Sequence, residues 1–327
     1  MKKGLRKLIL SGTALAAVAA TLGTSTYAWY TANETVSATD ISGASAGAAD
    51  ASIFISKDHS AWSSTVALDQ NGDVTGGALL PVEYVGNTTD QQTSVTSANF
   101  KDLGSVSNNA YVAGNTSTVA NGAAKKFTLY FRSSKISADA TAPTVYLKGI
   151  TLTNTTEDYT PADNLFYTKT NGYGVNVNQA TYGVDFTQAL KMVIYTDASD
   201  AGLADGNVNG KSLDLVNYQS TGLNSNLGTI NADNNALTYY NNIMSTSLTS
   251  AMDTQTKATI TEKNSNQSQR TAISLGQLNK DADYITVDFY IYLDGWDTYC
   301  YDACKGQSFQ LDLEFTSDVT EALTYAA

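Results

Sequence analysis

The stretch Tyr284-Ile-Thr-Val-Asp-Phe-Tyr-Ile-Tyr-Leu-Asp294 decides the fold. Ile285, Val287, Phe289, Ile291 and Leu293 alternate with Tyr284, Thr286, Asp288, Tyr290 and Tyr292. Apolar residues at every second position read as a strand with one face in a core, because successive side chains point to opposite faces. A second such run follows at once. Phe309, Leu311, Leu313 and Phe315 alternate with Gln310, Asp312 and Glu314. Two alternating runs of this length read as half-buried antiparallel strands.

Between them lies Asp294-Gly-Trp-Asp-Thr-Tyr-Cys-Tyr-Asp-Ala-Cys-Lys-Gly306, expected to be a loop capping one end of a sheet. It holds both cysteines of the chain, Cys300 and Cys304. In an exported protein such a pair is read as a local disulfide. The enclosed loop is short, so the bridge would contribute only roughly 2 kcal/mol. Two sulfurs with no nearby histidine do not make a zinc set.

Working back along the chain, the same period recurs. Leu190, Met192 and Ile194 alternate with Lys191, Val193 and Tyr195. Phe127, Leu129 and Phe131 alternate with Thr128, Tyr130 and Arg132. Val145 and Leu147 share one face, while Ile150 and Leu152 follow in a shifted register after Gly149, the sequence mark of a β-bulge. Ala51 to Ser56 and Trp62 to Leu68 read as short strands with His59 in the turn between them. Leu79 to Val85 reads as a strand interrupted by Pro81 and therefore at a sheet edge. Gly86 to Gly122 reads as loops with one or two short strands.

Asp197 to Arg270 is rich in Asn, Ser, Thr, Asp and Gly and reads as a polar insert between core strands. Within it Leu237 to Ser247 is a helix or a strand; periodicity does not decide. No long amphipathic helix is expected beyond Ala28. Abundant Thr and Tyr with few Lys and Glu agree with strands. The expected fold is all-β, an antiparallel β-sandwich or jelly roll spanning residues 51-327, with a loop-rich insert at about 197-270.

The segment from Met1 to Ala28 is of another kind. Lys2, Lys3, Arg6 and Lys7 precede an apolar run from Leu8 to Leu22, then small and polar residues lead to Tyr27-Ala28-Trp29-Tyr30-Thr31. Charge, apolar core and small-residue exit in that order mark a secretory signal. The core is shorter than the roughly 20 apolar residues of a membrane span. Cleavage is expected between Ala28 and Trp29, so membrane contact would be limited to the uncleaved signal peptide, 1-28. Positions 29-50 follow as an extended N-terminal segment, Trp29 to Thr39, and a Gly/Ala/Ser-rich flexible link, Ile41 to Asp50.

This basic start, Ala/Leu/Gly/Thr core and Tyr-Ala-Trp-Tyr-Thr exit resemble the export segments of Gram-positive surface proteins processed by the SipW-type signal peptidase. The TasA/camelysin-like biofilm matrix proteins are the best-known members of that group. The resemblance covers about a tenth of the chain. It implies a mature protein starting near Trp29 and working outside the cell, with a fibre subunit as one expectation. Protease activity described for camelysin-like proteins does not carry over, because no metal-binding motif is present.

Charge narrows the partners. The chain carries a net charge of −12, and loss of the four basic signal residues would take it to −16. Such a surface repels nucleic acid and anionic lipid. The single histidine sits between Asp58 and Ser60, and sequence neighbours do not make a triad. No HExxH, GxSxG or P-loop motif occurs. A carboxylate pair for hydrolysis remains chemically available, but nothing picks one out. The expectation is a protein that is not an enzyme and needs no cofactor.

Two acidic loops are candidates for calcium, Asp197/Asp200/Asp205 and Asp294/Asp297/Asp302, weighed against plain solvated carboxylates. Five Asn-x-Ser/Thr triplets, starting at Asn33, Asn87, Asn115, Asn154 and Asn266, match what an Asn/Thr-rich composition gives by chance. The last stretch, Thr316 to Ala327, carries no sorting motif or apolar tail.

These readings converge on a secreted or cell-surface structural protein, an extracellular matrix or fibre subunit that assembles with itself or with other matrix proteins. Strand addition is the expected mechanism: Trp29 and Val36 would anchor the N-terminal segment in a neighbour's edge groove, with pairing inside its own chain as the alternative. A glycan-binding adhesin is the second reading, with Trp62 and Trp296 as stacking aromatics. Aromatics clustered on an exposed face would favour it, and buried ones would favour the scaffold.

Overall fold

In the computed structural model the decisive stretch becomes a long strand, Ile285–Asp294, at the heart of a sheet. The structure describes residues 37–46, 53–86, 95, 99–102, 105–107, 110–112, 122–133, 143–154, 158–159, 182–183, 186–198, 208–215, 272–278, 284–295, 297, 300 and 308–323. In chain order the strands are β1 (Ser37–Ala46), β2 (Ile53–Ser56), β3 (Thr65–Ala67), β4 (Pro81–Tyr84), β5 (Phe100–Asp102), β6 (Ser105–Ser107), β7 (Ala110–Val112) and β8 (Lys125–Ser133). They continue with β9 (Thr144–Asn154), β10 (Asp158–Tyr159), β11 (Tyr182–Gly183), β12 (Leu190–Thr196), β13 (Ser212–Asp214), β14 (Ile273–Gln277), β15 (Ile285–Asp294) and β16 (Ser308–Thr316). A single 3-10 turn, Phe186–Ala189, and one short helix, α1 (Val319–Leu323), complete the described elements. The fold is all-β.

Two large sheets hold most of these strands. One has five strands in the order β14-β9-β16-β1-β3. The other has seven: β13-β12-β15-β4-β5 in one path, with β8 also paired to β15 and β2 paired to β8. Most pairings are antiparallel as expected, but the sheets are mixed: β1 runs parallel to β16, and β4 parallel to β15.

Alternation sets which face is inward. On β8, Phe127, Leu129 and Phe131 are buried while Lys126, Thr128 and Tyr130 are half-buried. On β15, Val287, Phe289, Ile291 and Leu293 are sealed from solvent. Both sheets contribute to one apolar cluster. Phe131 of one meets Phe315 of the other edge to face at 4.8 Å, and Phe127 stacks on Phe289 at 5.1 Å within the seven-stranded sheet. Each such fully buried side chain contributes about 1.5–3 kcal/mol by leaving water.

The bulge expected at Gly149 is present. Glu314 pairs with Gly149 and the next residue, Phe315, pairs with Leu147, so Lys148 is the extra residue on β9. That one residue lets Val145, Leu147, Ile150 and Leu152 all face the core. A slip of one position flips a strand's faces, and the bulge absorbs it.

Four expectations need correction. Pro81 does not mark an edge. It is the first residue of β4, which lies between β15 and β5 and is buried along its length. A proline lacks the N–H that a ladder needs, so the first position of a strand accommodates it as an edge does. Second, Ile41 to Asp50 is not simply a flexible link, because Ser37–Ala46 forms the interior strand β1, between β16 and β3. Third, part of the expected insert belongs to the core: β13 pairs with β12, and Val208, Leu213 and Leu215 are fully buried. Fourth, Gly86 to Gly122 contributes β5, β6 and β7, one more short strand than expected. The expected element at 237–247 lies outside the described residues.

A second, smaller apolar cluster covers the other face of the seven-stranded sheet at one end. Val82, Tyr84, Val95, Phe100, Val193, Tyr290 and Tyr292 form it with Ala123 and Ala124. This explains why β12 is buried on both faces except at Tyr195. Its tyrosines are tied to polar partners as buried hydroxyls must be. Tyr84 Oη donates to the Gly210 carbonyl at 2.8 Å, and Tyr292 Oη lies 2.8 Å from Ser212 Oγ. At the opposite end of β15 the same face is left open, and a different set of aromatic rings gathers there.

Candidate functional site

The open end is built by the turn that follows β2. Asp58 accepts hydrogen bonds from the backbone N–H groups of Ser60 at 2.9 Å and Ala61 at 3.1 Å, and from the Ser56 hydroxyl at 2.9 Å. These bonds, led by the two backbone ones, hold its carboxyl well below the usual carboxylate range. A reciprocal backbone pair between Ile55 and Ser63, at 2.7 and 3.0 Å, closes the loop. The tight path puts His59 at φ 51°, a left-handed conformation uncommon outside glycine.

The turn lays His59 and Trp62 over the ends of β8 and β15. The His59 ring stacks on Tyr284 at 5.4 Å and 12°. Tyr130 stands perpendicular to both, 5.1 Å from His59 and 5.3 Å from Tyr284. Trp62 lies 6.1 Å from Tyr284, and the Arg132 guanidinium sits 4.3 Å over the Trp62 ring. Tyr130 and Arg132 reach the same face because they are two residues apart on β8. Trp62, Tyr130 and Tyr284 are half-buried; His59 and Arg132 are exposed. Three separate segments thus converge on one aromatic cluster with a cation over one of its rings.

Arg132 differs in its pairing from three of the lysines. Lys57 pairs with Asp73 at 2.6 Å, Lys126 with Asp288 at 2.8 Å, and Lys148 lies 3.7 Å from Glu314. Among the described residues Arg132 has no carboxylate in salt-bridge range, and its planar guanidinium lies over the indole face.

A second polar cluster lies at the β12–β13 end. Lys191 Nζ is 2.7 Å from Asp214 and 2.9 Å from Asp297. Burial pushes this ammonium down, but Asp297, Asp214 and Asp294 together outweigh it and hold its pKa above the ordinary lysine value. Asp294 and Asp297, two of the residues considered for calcium, therefore surround an ammonium ion. Asp197, from the other acidic loop, accepts the Thr286 N–H at 2.9 Å. Asp200, Asp205 and Asp302 lie outside the described residues. Among the described residues no cluster has the composition of a metal site.

Of the other residues singled out by sequence, Trp62 lies in the patch. Cys300 is buried, and its expected partner Cys304 is outside the described residues. Ala28, Trp29, Val36 and Trp296 also lie outside them. Sequence reasoning did not gather His59, Tyr130, Arg132 and Tyr284. The signal was present only in part: Tyr130 and Arg132 share the outward parity of β8, and Tyr284 that of β15.

Comparison with protein-family models, with curated proteins and with solved structures yields no match.

Proposed function

We propose that this chain is a secreted or cell-surface structural protein, a non-enzymatic subunit of an extracellular matrix or fibre. Its two large sheets are read as the layers of a β-sandwich, joined across their shared core. The leader-like segment from Met1 to Ala28 supplies the extracellular setting.

The pairing of β1 carries the assembly reading. This strand registers with β16 from Ser37↔Ser308 to Ala46↔Thr316. Its sequence, SATDISGASA, has Ile41 as its one large apolar residue. Such a strand is held chiefly by main-chain hydrogen bonds, which any copy of the same segment could supply equally well. Within one chain β1 fills the slot beside β16; between chains the same slot would accept β1 of a neighbour. A head-to-tail exchange of this kind produces filaments when its rotation does not close into a ring. The donor is therefore read as Ser37–Ala46 itself, with the preceding segment including Trp29 and Val36 as its extension.

The register supplies the test. Ala44 is paired with Glu314 in the β1–β16 ladder. Chains carrying Ala44→Cys are mixed with chains carrying Glu314→Cys, unfolded, refolded together and oxidised. Exchange is expected to give a covalent heterodimer that the parent protein does not form. A double variant, with both cysteines in one chain, is expected to lock as a monomer and stop filament growth. Absence of the heterodimer, with efficient bridging in the double variant, would show that β1 stays in its own chain and would overturn the reading.

A further inference from the structure

The aromatic patch is not used by the assembly reading and calls for its own ligand. We propose that His59, Trp62, Tyr130, Arg132 and Tyr284 form a binding surface for an uncharged polysaccharide, with a pyranose ring against the rings and its hydroxyls met by Arg132.

The exposure of the rings supports a ligand. Aromatic rings that only fill a core are buried and, where polar, internally bonded, as Tyr84 and Tyr292 are. The patch rings instead remain half-open, and His59 is kept there by a left-handed backbone that a non-glycine residue adopts only at a cost. Asp58 fixes that turn through two backbone hydrogen bonds. Strain held in place at a surface cluster of rings is the pattern of a prepared contact.

Three ligand classes use aromatic stacking with arginine. Nucleic acid does so with base faces, but needs a basic surface to hold the phosphates. This chain carries −12, which opposes any polyanion. A protein partner places Trp, Tyr and Arg at the centre of a much broader contact, with a rim of further residues on each side. Here the surrounding turn residues, Lys57, Asp58, Ser60 and Ser63 to Thr65, are polar and exposed. Among the described residues Val319, on α1, is the one large hydrophobic side chain that is exposed. Among the described residues the patch is thus bordered, along that turn, by polar side chains rather than by further apolar ones. An uncharged sugar fits what is left: C–H faces for the rings, hydroxyls for the guanidinium donors and the seryl rim, and no charge for the acidic surface to repel.

The test is calorimetric titration of the full chain with the hexasaccharides of β-1,4-glucose and of β-1,4-N-acetylglucosamine, alongside hexagalacturonate and a short oligothymidylate. Saturable binding of an uncharged hexamer is expected, with little response to either anion. Arg132→Gln, an exposed change, and Trp62→Ala are each expected to weaken it at least about tenfold, the loss of one stacking or charge-assisted contact. Near-UV circular dichroism identifies any variant that has lost the fold, and Arg132→Gln then decides alone. No heat with either uncharged hexamer overturns the proposal. So does tighter binding of oligothymidylate or hexagalacturonate, or an uncharged-sugar affinity indifferent to Arg132→Gln. Self-association of the sugar-indifferent parent that Trp62→Ala abolishes would assign the patch to a second copy instead.

Discussion

At the scale of single residues, Gly276 on β14 is the sharpest constraint. Its φ of 134° lies where side-chain-bearing residues rarely go, and an added Cβ would run into Ala198 Cβ. Gly276→Ala is expected to cost at least about 1–3 kcal/mol, read from the denaturant midpoint. Phe289→Ala, at a fully buried position stacked on Phe127, is expected to cost about 3–5 kcal/mol by the same measurement. Lys191 adds a pH signature. Its pKa is raised on folding, so its contribution is complete below the unfolded value near 10.4 and is lost as pH rises toward the folded value. Stability measured from pH 8 to 11 should therefore fall on the alkaline side, and Lys191→Met should flatten that part of the curve. Asp58 has the opposite sign: its contribution is complete above the unfolded value near 3.9 and is lost progressively as pH falls from there toward the lowered folded value. None of these roles was legible in the residues alone, since each depends on what another segment brings alongside. The inward positions of β8, β15 and β16 were legible, because period-two burial is written directly into the order of apolar and polar side chains.

Elements differ in how openly the chain announces them. β9 announced even its irregularity, because an apolar pattern that changes parity at a glycine must be corrected by an extra residue. Deletion of Lys148 should remove that correction and turn Val145 and Leu147, or Ile150 and Leu152, away from the core. The expected result is a chain without a cooperative unfolding transition. Lys148→Ala keeps the extra residue and removes only half-exposed ion pairs at 3.7 and 3.9 Å, so it should cost less than about 1 kcal/mol. Similar destabilisation by the two changes would refute the bulge argument. By contrast β1 was illegible as an element. SATDISGASA carries no alternation, and its strand character comes from the open edge of β16 beside it. β13 and α1 were missed for the same reason, being short and fixed by neighbours. In α1, Asp318 caps the first turn by accepting the Thr320 N–H at 2.7 Å.

Across the whole molecule the two ends of one face of the seven-stranded sheet divide its aromatic residues by location. Tyr84, Tyr290 and Tyr292 belong to the scaffold, and the rings around Tyr284 belong to the surface. Composition announced many tyrosines but not this division, which follows from which end of β15 is covered. The pairing of β1 with β16 joins the first described strand to the last. Loops that long close late, so this ladder is expected to form after the rest of the core. The same pairing has a mechanical meaning. Because β1 and β16 run in the same direction, tension applied before Ser37 and after Thr316 pulls the two strands lengthwise past each other. All the registered positions then bear load together, where an antiparallel pair pulled from one end would unzip bond by bond. Stretched between its ends, the chain should resist as a clasp, giving way in one high-force step that is lost when Ser37–Ala46 is removed.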